Sequence, residues 1–148
     1  GILAVTASPK FLDLQGDAKG STVEGLKASL SGASNITYSK ALVQGVAGDS
    51  GTTSNPAITV VFGYPEATVA NMATILDALI VASNDSATAQ VADWEAAVDS
   101  ADDTIIRIYP EGDYSHTNAA NDKACYVQYV EADDANTPPV ITTDTSGC

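Results

Sequence analysis

A helical period runs through most of the first third of this chain and constrains its fold more than any other feature. Across residues 10–46, Val23, Leu26, Leu30 and Ala33, then Tyr38, Ala41 and Leu42, recur at steps of three and four, with many small residues between them. Apolar side chains at that spacing share one face of an α-helix, so one long helix is predicted. The helix has faults. Pro9 lacks a backbone donor, and Gly16, Gly20 and Gly25 each weaken it by about 1 kcal/mol relative to Ala. Residues 1–8 are apolar and begin without a cap, which reads as the cut end of something longer.

Beyond the helix the pattern breaks into short pieces. Residues 48–56, rich in Gly, Ser, Thr and Asp, read as a loop. Residues 57–62 form a β-branched and aromatic run stopped by Gly63-Tyr64-Pro65, hence a strand and a turn. Residues 66–82 return to helical spacing through Val69, Met72, Ala73, Leu76, Leu79 and Ile80, with Glu66 near the positive helix start. A further short helix is expected over 87–98, centred on Trp94. Residues 104–109 and 124–130 read as antiparallel neighbouring strands, and 140–143 as a last strand. This order predicts an α+β fold: a long N-terminal helix packed on an antiparallel sheet of about 3–5 strands, with extra short helices. The helix (1–46) and an acidic head (47–148) are expected to form a single domain, without repeats.

Charge narrows the partners. The formal net charge is −13, with 45% hydrophobic residues and a mean hydropathy of +0.04. An acidic disordered chain would be poorer in apolar residues, so a folded core is expected. Phosphate backbones and anionic headgroups would be repelled, which argues against nucleic acid and membrane surfaces. No apolar run approaches the roughly 20 residues of a membrane span. The charge is also uneven. Residues 1–48 carry four Lys against three acids, a sum of +1, whereas the remainder carries two cations against sixteen acids, a sum of −14.

Few residues suggest chemistry. Cys125 and Cys148 are the only cysteines. A disulfide is the simplest reading; the alternatives are two free thiols or half a metal site, but the spacing fits no redox or zinc motif. His116 lies in a polar, turn-like run without a partner nucleophile, so a solvated loop residue is expected rather than a general base or metal ligand. No phosphate loop, nucleophile elbow or paired-His motif occurs, so no catalytic residue, metal site or cofactor is assigned and no enzyme is expected. Asp99, Asp102 and Asp103, and separately Glu131, Asp133 and Asp134, could offer oxygen ligands to calcium, but neither has EF-hand spacing and solvated faces are the plainer reading. The glycosylation patterns at Asn35 and Asn84 are short enough to arise by chance. Trp94, Tyr109, Tyr126 and Tyr129 could stack on sugars, although sheet and core packing is the commoner use of such residues.

Three stretches carry a family resemblance. The opening Gly1-Ile2-Leu3-Ala4-Val5-Thr6-Ala7-Ser8-Pro9-Lys10-Phe11-Leu12, with Leu14-Gln15, resembles the second part of the N-terminal helix of Gram-negative type IV pilins, especially those of the mannose-sensitive haemagglutinin (MSHA) type. Tyr38-Ser39-Lys40-Ala41 fits the same helix. The ending, from Cys125-Tyr126-Val127-Gln128-Tyr129 through Thr137-Pro138-Pro139 to Thr145-Ser146-Gly147-Cys148, is similar to that family's C-terminus; between them, Gly63-Tyr64-Pro65 and Asp93-Trp94 match loosely.

The resemblance implies a pilin lacking the first part of its N-terminal helix, and with it the methylated Phe and the assembly Glu. Pro9 matches the proline at which family helices kink. Cys125 and Cys148 match the pair bounding an outward C-terminal loop where partner recognition is expected. Ile2, Leu3, Val5, Pro9, Phe11, Leu12 and Leu14 would pack at a filament axis, and Lys10, Lys19 and Lys27 are candidates for pairing with acids on adjacent heads. The implied partners are copies of the chain in a helical filament and the pilus assembly machinery, with surface glycans or phage as further partners that no residue singles out. Membrane contact would come only through the missing segment. The implied location is an extracellular pilus on a Gram-negative bacterium, with the inner membrane and periplasm before assembly, and the implied roles are surface attachment and biofilm formation. The alternatives are a pseudopilin of a type II secretion system or a minor, tip-located carbohydrate-binding adhesin.

Overall fold

A computed structural model describes residues 14–83, 92–111 and 124–148. The long helix α1 spans Leu14–Gln44, and Val23, Leu26, Leu30, Ser34, Thr37 and Ala41 are its buried residues. Val23, Leu26, Leu30 and Ala41 of the expected stripe thus form the core face, while Ala33 and Tyr38 are half-buried and Leu42 is exposed. The helix closes slightly before the expected end. Gly45 takes φ 72, its N–H donates to the Leu42 carbonyl at 3.2 Å, and the Val46 N–H donates to the Ala41 carbonyl at 2.9 Å. These two bonds satisfy carbonyls that the last turn would otherwise orphan.

The expected loop over 48–56 contains a strand. β1 (Gly51–Thr52) pairs antiparallel with β2 (Thr59–Val61), which pairs with β3 (Tyr64–Pro65). Gly63-Tyr64-Pro65 is therefore only in part a turn, because Tyr64 and Pro65 return along β2. Gly63 sits at φ 85, and a Cβ there would lie 2.8 Å from Cδ2 of Tyr38. Tyr38 stacks on Tyr64 with ring centroids 4.5 Å apart, fastening this small sheet to the last turns of α1.

Two helix expectations are corrected. α2 covers only Val69–Leu76, with the Thr68 side chain accepting from the Asn71 N–H at its start. It ends because Asp77 adopts a left-handed conformation, φ 48 and ψ 47, and the Ala78 N–H returns to the Ala73 carbonyl. Residues Ile80–Ala82 then form β4 rather than more helix. Trp94–Val98 is strand β5, not the centre of a helix; the earlier part of that expectation, 87–91, lies outside the described residues. β5 pairs on both sides, so ladder hydrogen bonds override the modest helix preference of Glu95, Ala96 and Ala97.

β6 (Ile105–Pro110), β7 (Tyr126–Val130) and β8 (Val140–Asp144) complete a five-stranded sheet of order β4-β5-β6-β7-β8. β6 and β7 are antiparallel neighbours as expected, while β4 and β5 run parallel. The fold is thus α+β with an N-terminal helix and two sheets instead of one, and with α2 as the one short helix among the described residues. Val23, Leu26 and Leu30 of α1 share one core with Met72, Ile80, Ile106, Ile108, Val127 and Tyr129. Further along the helix, Ala41 packs in a second core with Ile58 and Val60 of the small sheet. Each large apolar side chain so buried contributes about 1.5–3 kcal/mol.

Candidate assembly face and disulfide-closed hairpin

The side of α1 turned away from both cores is lined by small residues. Ala18, Ser21, Gly25, Ala28, Gly32 and Ser39 are exposed there, and a Cβ built on Gly25 or Gly32 meets nothing within 4 Å. Larger apolar side chains stand out from the same helix: Leu14 is 62% exposed, Ile36 71%, Leu42 53% and Val43 88%. A surface of this kind lets another helix approach closely and offers it apolar contact at either end. Among the described residues no helix is long and apolar enough to cross a membrane.

Of the residues expected to pack at a filament axis, only Leu14 falls within the described residues; Ile2, Leu3, Val5, Pro9, Phe11 and Leu12 lie outside them, as do Lys10 and His116. Lys19 and Lys27 are half-buried on α1. Lys19 lines a groove of about 710 Å³ with Gln15, Thr22, Asp93, Trp94 and Pro110, against its own head.

Cys125 and Cys148 are disulfide-bonded. The two strands expected between them pair as a hairpin: β7 and β8 run from Tyr126↔Asp144 to Val130↔Val140. The exposed turn between the strands holds Asp134, whose carboxylate accepts from the Asn136 N–H at 2.7 Å. At the other end the Gly147 N–H donates to the Ala124 carbonyl at 2.7 Å, so the disulfide closes a segment that is already hydrogen-bonded. Side chains tie the hairpin to the rest of the head. The Thr143 hydroxyl donates to Glu24 of α1 at 2.5 Å, and the buried Tyr129 hydroxyl donates to the Pro65 carbonyl at 2.5 Å. Burial raises the Tyr129 phenol pKa well above its ordinary value, and the neighbouring Ser34 hydroxyl offsets part of that.

Four of the six acids considered for calcium, Asp99, Asp102, Glu131 and Asp134, accept backbone N–H groups. Asp99 accepts from the Ala101 N–H and pairs with Arg107 at 2.9 Å; the Ala101 bond, then Arg107, lowers its pKa. Asp102 accepts from both the backbone and the hydroxyl of Thr104. Glu131 reaches from the end of β7 to accept the Ala67 N–H at 2.6 Å, just before α2. Burial pushes the Glu131 pKa above 4.5, and nearby Glu66, Asp103 and Asp102 add to the rise. Among the described residues no group of three or more His, Cys, Asp or Glu side chains is placed to hold a metal ion.

The aromatic residues pack rather than form an open platform: Tyr109, Tyr126 and Tyr129 are buried, and Trp94 is half-buried against the core. Of the three glycines expected to weaken the helix, Gly25 is exposed on the outward face of α1. Gly25 was legible only as a helix weakener, because its direction relative to the core depends on which face the sheets cover. Comparison with known proteins returns no matching family model, no matching curated protein and no matching solved structure.

Proposed function

We propose that this chain is a structural subunit of an MSHA-like type IV pilus, polymerising through its N-terminal helix and displaying an acidic head. In this reading it does no chemistry. Its partners are copies of itself and the assembly machinery, its destination is an extracellular fibre on a Gram-negative cell after passage through the inner membrane and periplasm, and its task is surface attachment and biofilm formation.

The observation that carries the reading is the second face of α1, small in the middle and apolar at its ends, left uncovered by its own head. The closed hairpin between Cys125 and Cys148 supports it, standing where the resemblance assigns the outward C-terminal segment. Charge is consistent with the division of labour: a head of −14 keeps a fibre solvated, while the near-neutral helix packs at its axis.

Immunogold labelling of the cells that make this chain tests the proposal. Label along the whole length of surface fibres is expected. Label confined to fibre tips would replace it with a minor adhesin, and label that never leaves the envelope would replace it with a pseudopilin.

A further inference from the structure

We propose that the groove between α1, the loop leading into β2 and the end of α2 is a binding site for a long-chain carboxylate. This goes beyond the filament reading and concerns the single subunit, because Ala28, Gly32 and Ile36 line the groove and also belong to the outward face of α1.

The groove encloses about 520 Å³ and follows α1 from Ala28 to Lys40, roughly 18 Å at 1.5 Å per residue. Ile58 and Pro56 stand on one side, Ile75 on another, and Ile36 of α1, 71% exposed, rises at its rim. Three threonines line it without asking for a polar ligand. The hydroxyl of Thr37 donates to the Ala33 carbonyl at 2.9 Å, that of Thr53 to the Pro56 carbonyl at 2.8 Å and that of Thr74 to the Ala70 carbonyl at 2.9 Å. Each of these three hydroxyls is held by a backbone carbonyl, and Ser29, exposed on α1, is the remaining hydroxyl of the lining. A saccharide or nucleotide, which needs many donors and acceptors, is poorly matched to such walls.

One charge is present. Lys40 closes the end of the groove, and its ammonium is held by the Asn55 carbonyl, with no ion pair among the described residues. No carboxylate lines the groove, although the chain has nineteen. An apolar trough ending in one cation fits an apolar chain ending in one anion. A cationic amphiphile would meet like charge, and a wholly apolar ligand would cover the ammonium without supplying a counter-charge.

Calorimetric titration with dodecanoate and with dodecyltrimethylammonium, each below its micelle concentration, tests the site. One dodecanoate is expected per chain, raising the melting temperature as a native-state ligand does. Lys40→Gln should weaken dodecanoate about tenfold and leave the cationic amphiphile no weaker, Lys40→Arg should keep dodecanoate affinity, and Ile36→Ser, at an exposed position, should weaken dodecanoate. No binding, equal affinity for the two headgroups, or indifference to both Lys40→Gln and Ile36→Ser would overturn the proposal. So would loss of binding on concentrating the protein together with a doubled sedimentation mass, which would give the groove to a second copy of the chain.

Discussion

Along α1, Val23 and Leu30 are fully buried, whereas Ile36 and Val43, equally apolar and on the same helix, are 71% and 88% exposed. Hydrophobicity therefore does not locate the core; direction around the helix does. The inward face meets two sheets in succession, first the five-stranded sheet through Val23, Leu26 and Leu30, then the small sheet through Ala41. The outward face is open at Gly25 and Gly32, where a Cβ would meet nothing within 4 Å, and borders its own head only along the two grooves that Ala18 and Ile36 line. Its exposed apolar side chains add little to the stability of one copy.

The contrast predicts opposite responses to substitution. Leu30→Ala should cost about 3–5 kcal/mol in chemical denaturation, from lost transfer energy and the cavity left behind, while Ile36→Ala should change stability by less than about 0.5 kcal/mol. Equal costs would erase the distinction between the faces. Next in size is the disulfide. Replacing both Cys125 and Cys148 with Ala should lose about 3.5 kcal/mol on the chain-entropy account of a ring this long, with the paired strands of the hairpin persisting in amide exchange. Gly63→Ala follows, at about 1–3 kcal/mol, because Ala is strained at φ 85 and its Cβ would press into Tyr38; an unshifted denaturation midpoint would contradict the Tyr38–Tyr64 fastening.

Smaller effects should run the other way. Gly25→Ala meets open space on the outward face, so it should raise stability by about 0.5–1 kcal/mol, whereas a destabilised variant would mean that face is covered. Glu131 gives the smallest. Its pKa is raised in the folded head, chiefly by burial, so its ionised form is the one that folding disfavours. That penalty is present above the folded pKa and disappears as pH falls below the ordinary value of 4.5. Glu131→Gln should therefore melt slightly higher than the unaltered chain at pH 7, by an amount that solvent screening keeps below about 1 kcal/mol. The gap should close by about pH 4; a gap independent of pH would remove Glu131 from the account.

Much of this fold was legible in the sequence because its signals are local. The α1 stripe, the β-branched runs of β6 and β7 and the short run of β8 declare themselves through spacing and side-chain type. The end of α2 did not, since Asp77 takes the left-handed position that glycine usually marks. β5 was hidden for a different reason: Trp94-Glu95-Ala96-Ala97 has no alternation of its own and becomes a strand because β4 and β6 pair with it. For the candidate site, the cysteine pair and both strands between them were visible, while the pairing of those strands was not, as the acidic turn at 133–136 looks like plain loop. The groove along α1 was beyond sequence reading altogether, because it exists only once Pro56, Ile58 and Ile75 fold against positions 28–40.

On the proposed filament reading, α1 holds the head with one face and neighbouring copies with the other. Gly25 belongs to the outward face and lines neither groove, which makes it the cleanest place to ask. Counting surface fibres by electron microscopy on cells carrying Gly25→Leu, with the melting temperature of the isolated chain measured alongside, tests the claim directly. The account predicts an unchanged or raised melting temperature and a loss of fibres; fibres of normal number and length from a normally folded variant would contradict it.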